Sequence, residues 1–409
     1  MSTSTATPAA TKPIVDEPVP QPARWGAEEL ARLTMMVMQP SLFYWKGPQT
    51  TALLEEFRRH YPFKHCYPCS SGTASLHIAV AALRLQPGDE VITSPITDMG
   101  SVIGVLYQQG VPVFADIDPH TYNLNPADVR RRITAKTRAI MVVHLAGNPC
   151  DTTALAAIAK EHNLALIEDC AQSWGAQHRG QPVGLVGDFG CYSFNDFKHI
   201  ACGDGGLVAT NRDDLGAGLS KWGDKCYDRV SGGRAPEDLA PNYRMSEPQS
   251  AVAAAQMGKL AEIVRRRHHA GEFLTSLLAG TPGLHLPAVA KGDYHSYWFY
   301  MLRVDLARFS LSRNELAAAF NAEGVAAGPG YIPTTVYQYP VFQNHNFFGG
   351  TWPVKMLGLT KMDYRSVSCP VAEAIIRDCI TLRLNEAMSD AYIEKVARAV
   401  RTVATRLAR

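Results

Sequence analysis

Six short stretches between residues 90 and 211 are almost continuously apolar: EVITSP (90–95), PVFADID (112–118), AIMVVHLAG (139–147), LALIEDCA (164–171), DFGCYSF (188–194) and GGLVATN (205–211). Runs of that length without polar alternation read as strands buried on both faces. Between several of them lie helical patterns, among them SLHIAVAALRL (75–85) and DTTALAAIAKEH (151–162). Strand and helix in alternation predict an α/β domain with a mostly parallel sheet flanked by helices.

The pattern changes after about residue 245. Residues 245–280 predict one long helical region, followed by an alternating run at 296–305, a helix at 311–324, a loop rich in Gly, Pro, Asn and aromatics at 328–353, and a Ser-capped amphipathic helix at 389–409. We read a large domain over 25–265 and a smaller C-terminal α+β domain over 266–409. Residues 1–24, mostly Ser, Thr, Ala and Pro, read as a mobile arm.

Charge and cysteine content narrow the function classes. Forty Lys and Arg against 38 Asp and Glu leave a net charge of +2, with none of the concentrated basic surface that nucleic acid or an anionic membrane demands. No apolar run approaches the roughly 18 residues of a membrane span, and the polar, Pro-containing start has no signal-peptide core. The nine scattered cysteines do not suggest a secreted disulfide framework. The expected location is cytoplasmic.

Three places carry candidate chemistry. Ser70-Ser71-Gly72-Thr73 precedes an apolar helix, and a helix start offers free N–H groups to an anion; an ordinary helix cap reads equally well. Asp169 ends a buried strand, where ligands of open α/β sheets sit; a turn or cap is the plainer explanation. Lys198 follows a strand and precedes a Gly-rich turn; burial would free its amine for Schiff-base chemistry, although most lysines are solvated. Together, an anion cradle, a carboxylate and a lysine match what pyridoxal 5'-phosphate (PLP) needs for its phosphate, its ring nitrogen and its aldehyde.

The motifs SSGTASLHIAVAAL, PGDEVITSP, VPVFADIDPHTYNLNP, VVHLAGNPCD, IEDCAQSWGA, YSFNDFKHIACGDGGLVAT, NYRMSEPQSAVAAAQ and CPVAEA, in this order, resemble the DegT/DnrJ/EryC1/StrS aminotransferases, enzymes of PLP fold type I acting on sugars and cyclitols. The resemblance implies that Lys198 is the Schiff-base lysine and proton shuttle. It places Ser193, Gly72 and Thr73 at the phosphate, Asp169 at the pyridine nitrogen and Gln172 beside the ring. Asn242 would reach the phosphate of a partner subunit, so a homodimer with shared sites is implied. The implied reaction moves an amino group from L-glutamate or L-glutamine to a nucleotide-linked keto sugar or a keto cyclitol, with pyridoxamine 5'-phosphate formed on the way.

Two departures stand out. Where the family carries an aromatic residue over the cofactor, this chain reads Pro95-Ile96-Thr97-Asp98-Met99, and Met99 is the candidate to cover the ring. The usual Gly-Glu-Gly-Gly is Gly203-Asp204-Gly205-Gly206. A dehydratase branch replaces the lysine by His; here His199 follows Lys198 without replacing it. The rivals to transamination are a PLP- or pyridoxamine-phosphate-dependent dehydratase, an aromatising enzyme of the aminohydroxybenzoate type, and a non-catalytic regulatory protein on the same fold. Cys66-x-x-Cys69 has no second pair and gives no metal site. Arg130–Arg132 and Arg265–Arg267 read as solvated helix faces. The stretch from Tyr331 to Phe348 reads either as a wall over the substrate or as packing, and His295 and Trp298 receive no role.

Overall fold

A computed structural model describes residues 12–409. Its centre is a seven-stranded sheet built from β1 (His65–Cys69), β2 (Glu90–Thr93), β3 (Val111–Phe114), β4 (Thr137–Val143), β5 (Ala165–Asp169), β6 (Phe189–Ser193) and β7 (Gly206–Thr210), in the spatial order β1-β7-β6-β5-β4-β2-β3. From β3 to β6 every pairing is parallel; β7 runs antiparallel to both its neighbours. The reversal has a covalent reason. The segment joining β6 to β7, residues 194–205, contains no helix, and a parallel return is usually made through a crossover helix. That loop carries Lys198 and leaves it at the sheet end where β5 delivers Asp169.

The six apolar runs all form strands of this sheet. The strand not anticipated is β1, HCYPC, which contains Pro68 and lies at the sheet edge, where a residue without an N–H is tolerated. Helices α1 (Ala27–Val37), α2 (Pro48–His60), α3 (Gly72–Ala82), α4 (Gly100–Tyr107), α5 (Pro126–Arg132) and α6 (Thr152–Glu161) fall within this part of the chain. Helix α3 is buried along nearly its whole length, which explains its lack of a polar face.

The long helix α7 (Glu247–Leu278) is common to two cores. Met257, Leu260 and Val264 pack with Trp174, Tyr192 and Phe194 of the large domain. Ala270, Leu274 and Leu278 pack with a four-stranded antiparallel sheet ordered β8 (Leu284–His285), β9 (Tyr300–Val304), β11 (Cys379–Leu382) and β10 (Ala327–Gly328). Helices α8 (Arg313–Ala322), α9 (Pro370–Asp378) and α10 (Asp390–Leu407) complete the C-terminal part. Among the described residues no helix is long and apolar enough to cross a membrane.

Residues 1–11 of the expected mobile arm lie outside the described residues. Residues 12–24 lie along the body instead of extending from it. Val15 is buried and its N–H donates to the Glu323 carbonyl (3.0 Å), Asn385 Nδ2 donates to the Pro20 carbonyl (2.9 Å), and Lys395 pairs with Asp16 and Glu17. Val15, with Ile14 packed beside it, and these polar contacts seat the segment. Much of the aromatic-rich loop is packing: Phe342 meets Phe114, and Trp352 stacks on Tyr364, which itself meets Phe114. Tyr331 is the member that reaches the end of β5.

Candidate active site

The cradle is built where α3 meets the end of β6. Ser71 caps α3, its Oγ accepting from the Ala74 amide (3.0 Å). The amides of Gly72 and Thr73 belong to the first turn and have no intrahelical acceptor. Glycine is required at this corner: a Cβ on Gly72 would lie 2.7 Å from Ser193 Cβ, and one on Gly206 would lie 2.1 Å from the Ser71 carbonyl. Ser193, at the end of β6, thus meets Gly72-Thr73 at one helix N-terminus, where the dipole and N–H groups favour an anion.

Asp169 is buried at the carboxyl end of β5. Its Oδ2 accepts from Ser101 Oγ (2.7 Å) and its Oδ1 from the Ala171 amide (3.1 Å). Ser101 is in turn bonded to Thr97 Oγ1 (2.6 Å), so the first turn of α4 orients the carboxylate. Burial pushes the Asp169 carboxyl up, against the pull of these donors and of the Lys198 charge. Gln172 is buried next door; its Oε1 accepts from the Ala146 amide (2.9 Å) and its Nε2 donates to Tyr331 Oη (3.1 Å).

Lys198 is half-buried, with its Nζ 3.6 Å from the centre of the Trp298 ring. Burial lowers its amine from the ordinary 10.5 to about 8, while the carboxylates of Asp169 and Asp98 act in the opposite direction. Arg24 holds the loop, donating to the carbonyls of Asp196 and Lys198. Among the described residues neither Lys198 nor Asp169 has an ion-pair partner within 4 Å. A buried carboxylate lacking a cation and a desolvated amine lacking an anion fit a protonated pyridine nitrogen and an aldehyde, with the cradle for a phosphate. The residues present therefore fit PLP.

Asp98, not singled out by composition or spacing, belongs to this group. Its Oδ1 accepts from the Gly100 amide (2.8 Å), and Gly100 abuts Thr73. Met99 packs beside the apolar core of the large domain, and Asp98 is the neighbour whose charge is felt by Lys198, Asp169 and Tyr331. Asn242 is exposed, and in its own chain its Oδ1 accepts from Arg244 Nε (2.7 Å). The backbone beside it runs along the cradle, the Ser70 amide donating to the Tyr243 carbonyl (2.8 Å).

The remaining signals are structural. Cys66 and Cys69 lie three positions apart on β1, so their side chains point to opposite faces of the sheet. Arg265 and Arg266 are exposed and paired with Glu262, but Arg267 departs from the expected solvated face. It is buried, bonds Glu386 (2.8 Å) and donates to the carbonyl of Trp298 (3.1 Å), because the segments around Trp298 and Glu386 pack on that side of α7. His199 is buried and bonded to the Ser296 carbonyl (3.0 Å). His144, Glu168 and Cys170 cluster closely enough to suggest a metal, yet His144 Nδ1 accepts from the Cys150 amide and Glu168 is occupied by protein donors.

Residues 25–401 match the model of the DegT/DnrJ/EryC1/StrS aminotransferase family. The chain is 30% identical over 392 residues to the spore coat polysaccharide biosynthesis protein SpsC of Bacillus subtilis (strain 168), covering 92% of this chain and 95% of the relative. Its fold is similar to the aminotransferase from Psychrobacter cryohalolentis (26% identity, TM-score 0.85, 95% of this chain and 100% of the other). It is likewise similar to DesI, whose structure was determined in the presence of its TDP-sugar product (26% identity, TM-score 0.79, 98% and 95%). The α/β architecture, with its mostly parallel sheet, is the fold type I arrangement of such enzymes.

Proposed function

Since the chain belongs to the DegT/DnrJ/EryC1/StrS aminotransferase family, and is with it a PLP-dependent aminotransferase, we propose that it moves an amino group from L-glutamate or L-glutamine to the ketone of a nucleotide-linked sugar or a cyclitol. The observation that carries this reading is the placement of Lys198 and Asp169 at one sheet end, each without an ion-pair partner among the described residues, beside the Gly72–Thr73–Ser193 cradle. The spore-coat polysaccharide relative and the TDP-sugar neighbour support a sugar as acceptor.

Bound in this site, PLP supplies an aldehyde that takes up the amino group and a ring that delocalises the electrons of the breaking C–H bond. The amides of Gly72 and Thr73 and the Ser193 hydroxyl hold the phosphate. Asp169, fixed by Ser101, keeps a proton on the ring nitrogen. Lys198 would hold the cofactor through its aldehyde and, as a free amine, would serve as the group that moves the proton, a role its burial suits by lowering the amine toward about 8. Gln172 and Tyr331 close one side. Asn242 completes the phosphate site of a partner subunit in a cytoplasmic homodimer. Lys198 stands where a dehydratase would carry His, which favours amino transfer over loss of water.

The test is an absorption spectrum of the purified protein with PLP, before and after L-glutamate and L-glutamine. A visible band that bleaches with either donor supports the reading. A band indifferent to both points to a dehydratase, and no band to a non-catalytic protein.

A further inference from the structure

The proposed reaction frees the Lys198 amine for much of its course, and the free amine must wait within reach of the reacting carbon. We propose that the indole face of Trp298 is the seat of Lys198 Nζ whenever that amine is free, which makes Trp298 a positioning residue for the transfer. The inference rests on the aminotransferase reading.

The geometry is that of a seated cation, with Nζ 3.6 Å from the ring centre. The indole is fixed on several sides. Its Nε1 donates to the Phe197 carbonyl (2.6 Å), the Trp298 amide donates to the Ala146 carbonyl (2.8 Å), and the Trp298 carbonyl accepts from buried Arg267 (3.1 Å). Tyr331 meets the ring edge-on, with centroids 5.7 Å apart. Arg24 pins the Lys198 carbonyl, so backbone and ring stay in place and only the lysine side chain has to swing. An aromatic face attracts the ammonium without the permanent ion pair that a carboxylate at contact distance would impose. The lysine is therefore held and still released easily.

A plainer role competes. Through Nε1 and the Phe197 carbonyl, Trp298 also anchors the loop that carries Lys198. Two variants separate the roles. Trp298→Phe keeps an aromatic face and loses the N–H; Trp298→Leu keeps apolar cover and loses both. Asp169 on β5, Asp98 before α4, Arg24 of the N-terminal segment, neighbouring His199 and Tyr331 of the small domain surround the amine in all forms.

The decisive measurement is the pH dependence of Lys198 labelling by trinitrobenzenesulfonate in the full chain freed of cofactor, located by peptide mapping. An aromatic face favours the charged amine, so Trp298→Leu should lower the labelling midpoint by about 0.5 to 1.5 pH units, and Trp298→Phe should recover most of that change. In the holoenzyme, Trp298→Leu should slow the donor half-reaction at saturating L-glutamate about 3- to 30-fold, with little change in the half-saturating concentration. Equal midpoints in wild type and Trp298→Leu, or equal displacement in the Leu and Phe variants, would overturn the proposal. A wild-type protein that binds PLP but responds to no amino donor would overturn the aminotransferase reading instead, and the labelling experiment would still decide the seat.

Discussion

Glu168 and Asp169 are neighbours at the end of β5, both buried, and the alternation of the strand sends them to opposite faces of the sheet. On one face Glu168 accepts from the amides of Gly184 (2.7 Å), Val186 (2.9 Å) and Gly187 (2.6 Å) and from His144 Nε2 (3.1 Å). On the other, Asp169 has one hydroxyl and one amide. The two carboxylates share burial and chemistry and differ in how fully the protein answers them. A buried carboxylate saturated by backbone donors holds a turn in place. One left short of positive charge is ready for a ligand that brings it.

The comparison yields experiments of decreasing effect. Lys198→Ala, on the ligand face, should reduce turnover by at least 10²–10⁴-fold while the fold survives, measured by steady-state kinetics and circular dichroism. Asp169→Asn should lower kcat by roughly 10²–10³-fold with an unchanged melting temperature. Glu168→Gln should do the reverse: stranded amide donors should cost about 2–6 kcal/mol of stability, seen in thermal melting, with kcat of the folded fraction near normal. A Glu168→Gln protein that melts normally but has lost activity would erase the distinction. Ser101→Ala should cost about 10- to 100-fold in kcat, the loss of one orienting hydrogen bond to a charged group.

The smallest effect concerns stability and pH. The Lys198 amine titrates near 8 in the folded chain and near 10.5 when exposed. Below pH 8 both states are protonated, and the folded state bears the full burden of a desolvated ammonium. Between about 8 and 10.5 only the unfolded chain holds the extra proton, so stability rises with pH. Lys198→Met in the cofactor-free protein should therefore raise stability by about 1–2 kcal/mol at pH 7, a figure reduced for solvent screening, and the gain should fade by pH 10.5. Melting curves at several pH values check this.

The strands of the large sheet were legible because continuous apolar runs leave few alternatives. Lys198, Asp169, Gly72 and Ser193 could be singled out as candidates because each lies in a motif at a strand or helix end. What escaped is made by distance along the chain. Trp298 meets Lys198 across a hundred residues and Tyr331 meets Gln172 across 159, and no local pattern encodes either contact. Ser101 was hidden in an apolar helix, its hydroxyl indistinguishable from an incidental one until Asp169 was placed opposite. Arg267 was hidden by its neighbours: three arginines in a row read as solvent-facing, as Arg130–Arg132 largely are, and only the distant carbonyls of Trp298 and Leu384 and the Glu386 carboxylate set Arg267 apart. Pro68 concealed β1, since proline argues against a strand everywhere except an edge.

The grip of Arg24 on the Lys198 loop bears on how the gene can be edited. Residues 12–24 look expendable by composition, yet they are tied to the body of the protein through Val15, Pro20 and Arg24. A deletion past Val15 removes a buried plug from the C-terminal core, and one past Arg24 also unties the backbone of the reactive lysine. Trimming for expression should therefore spare residues 12–24, and a shortened enzyme that proves sluggish should be lengthened before its chemistry is doubted.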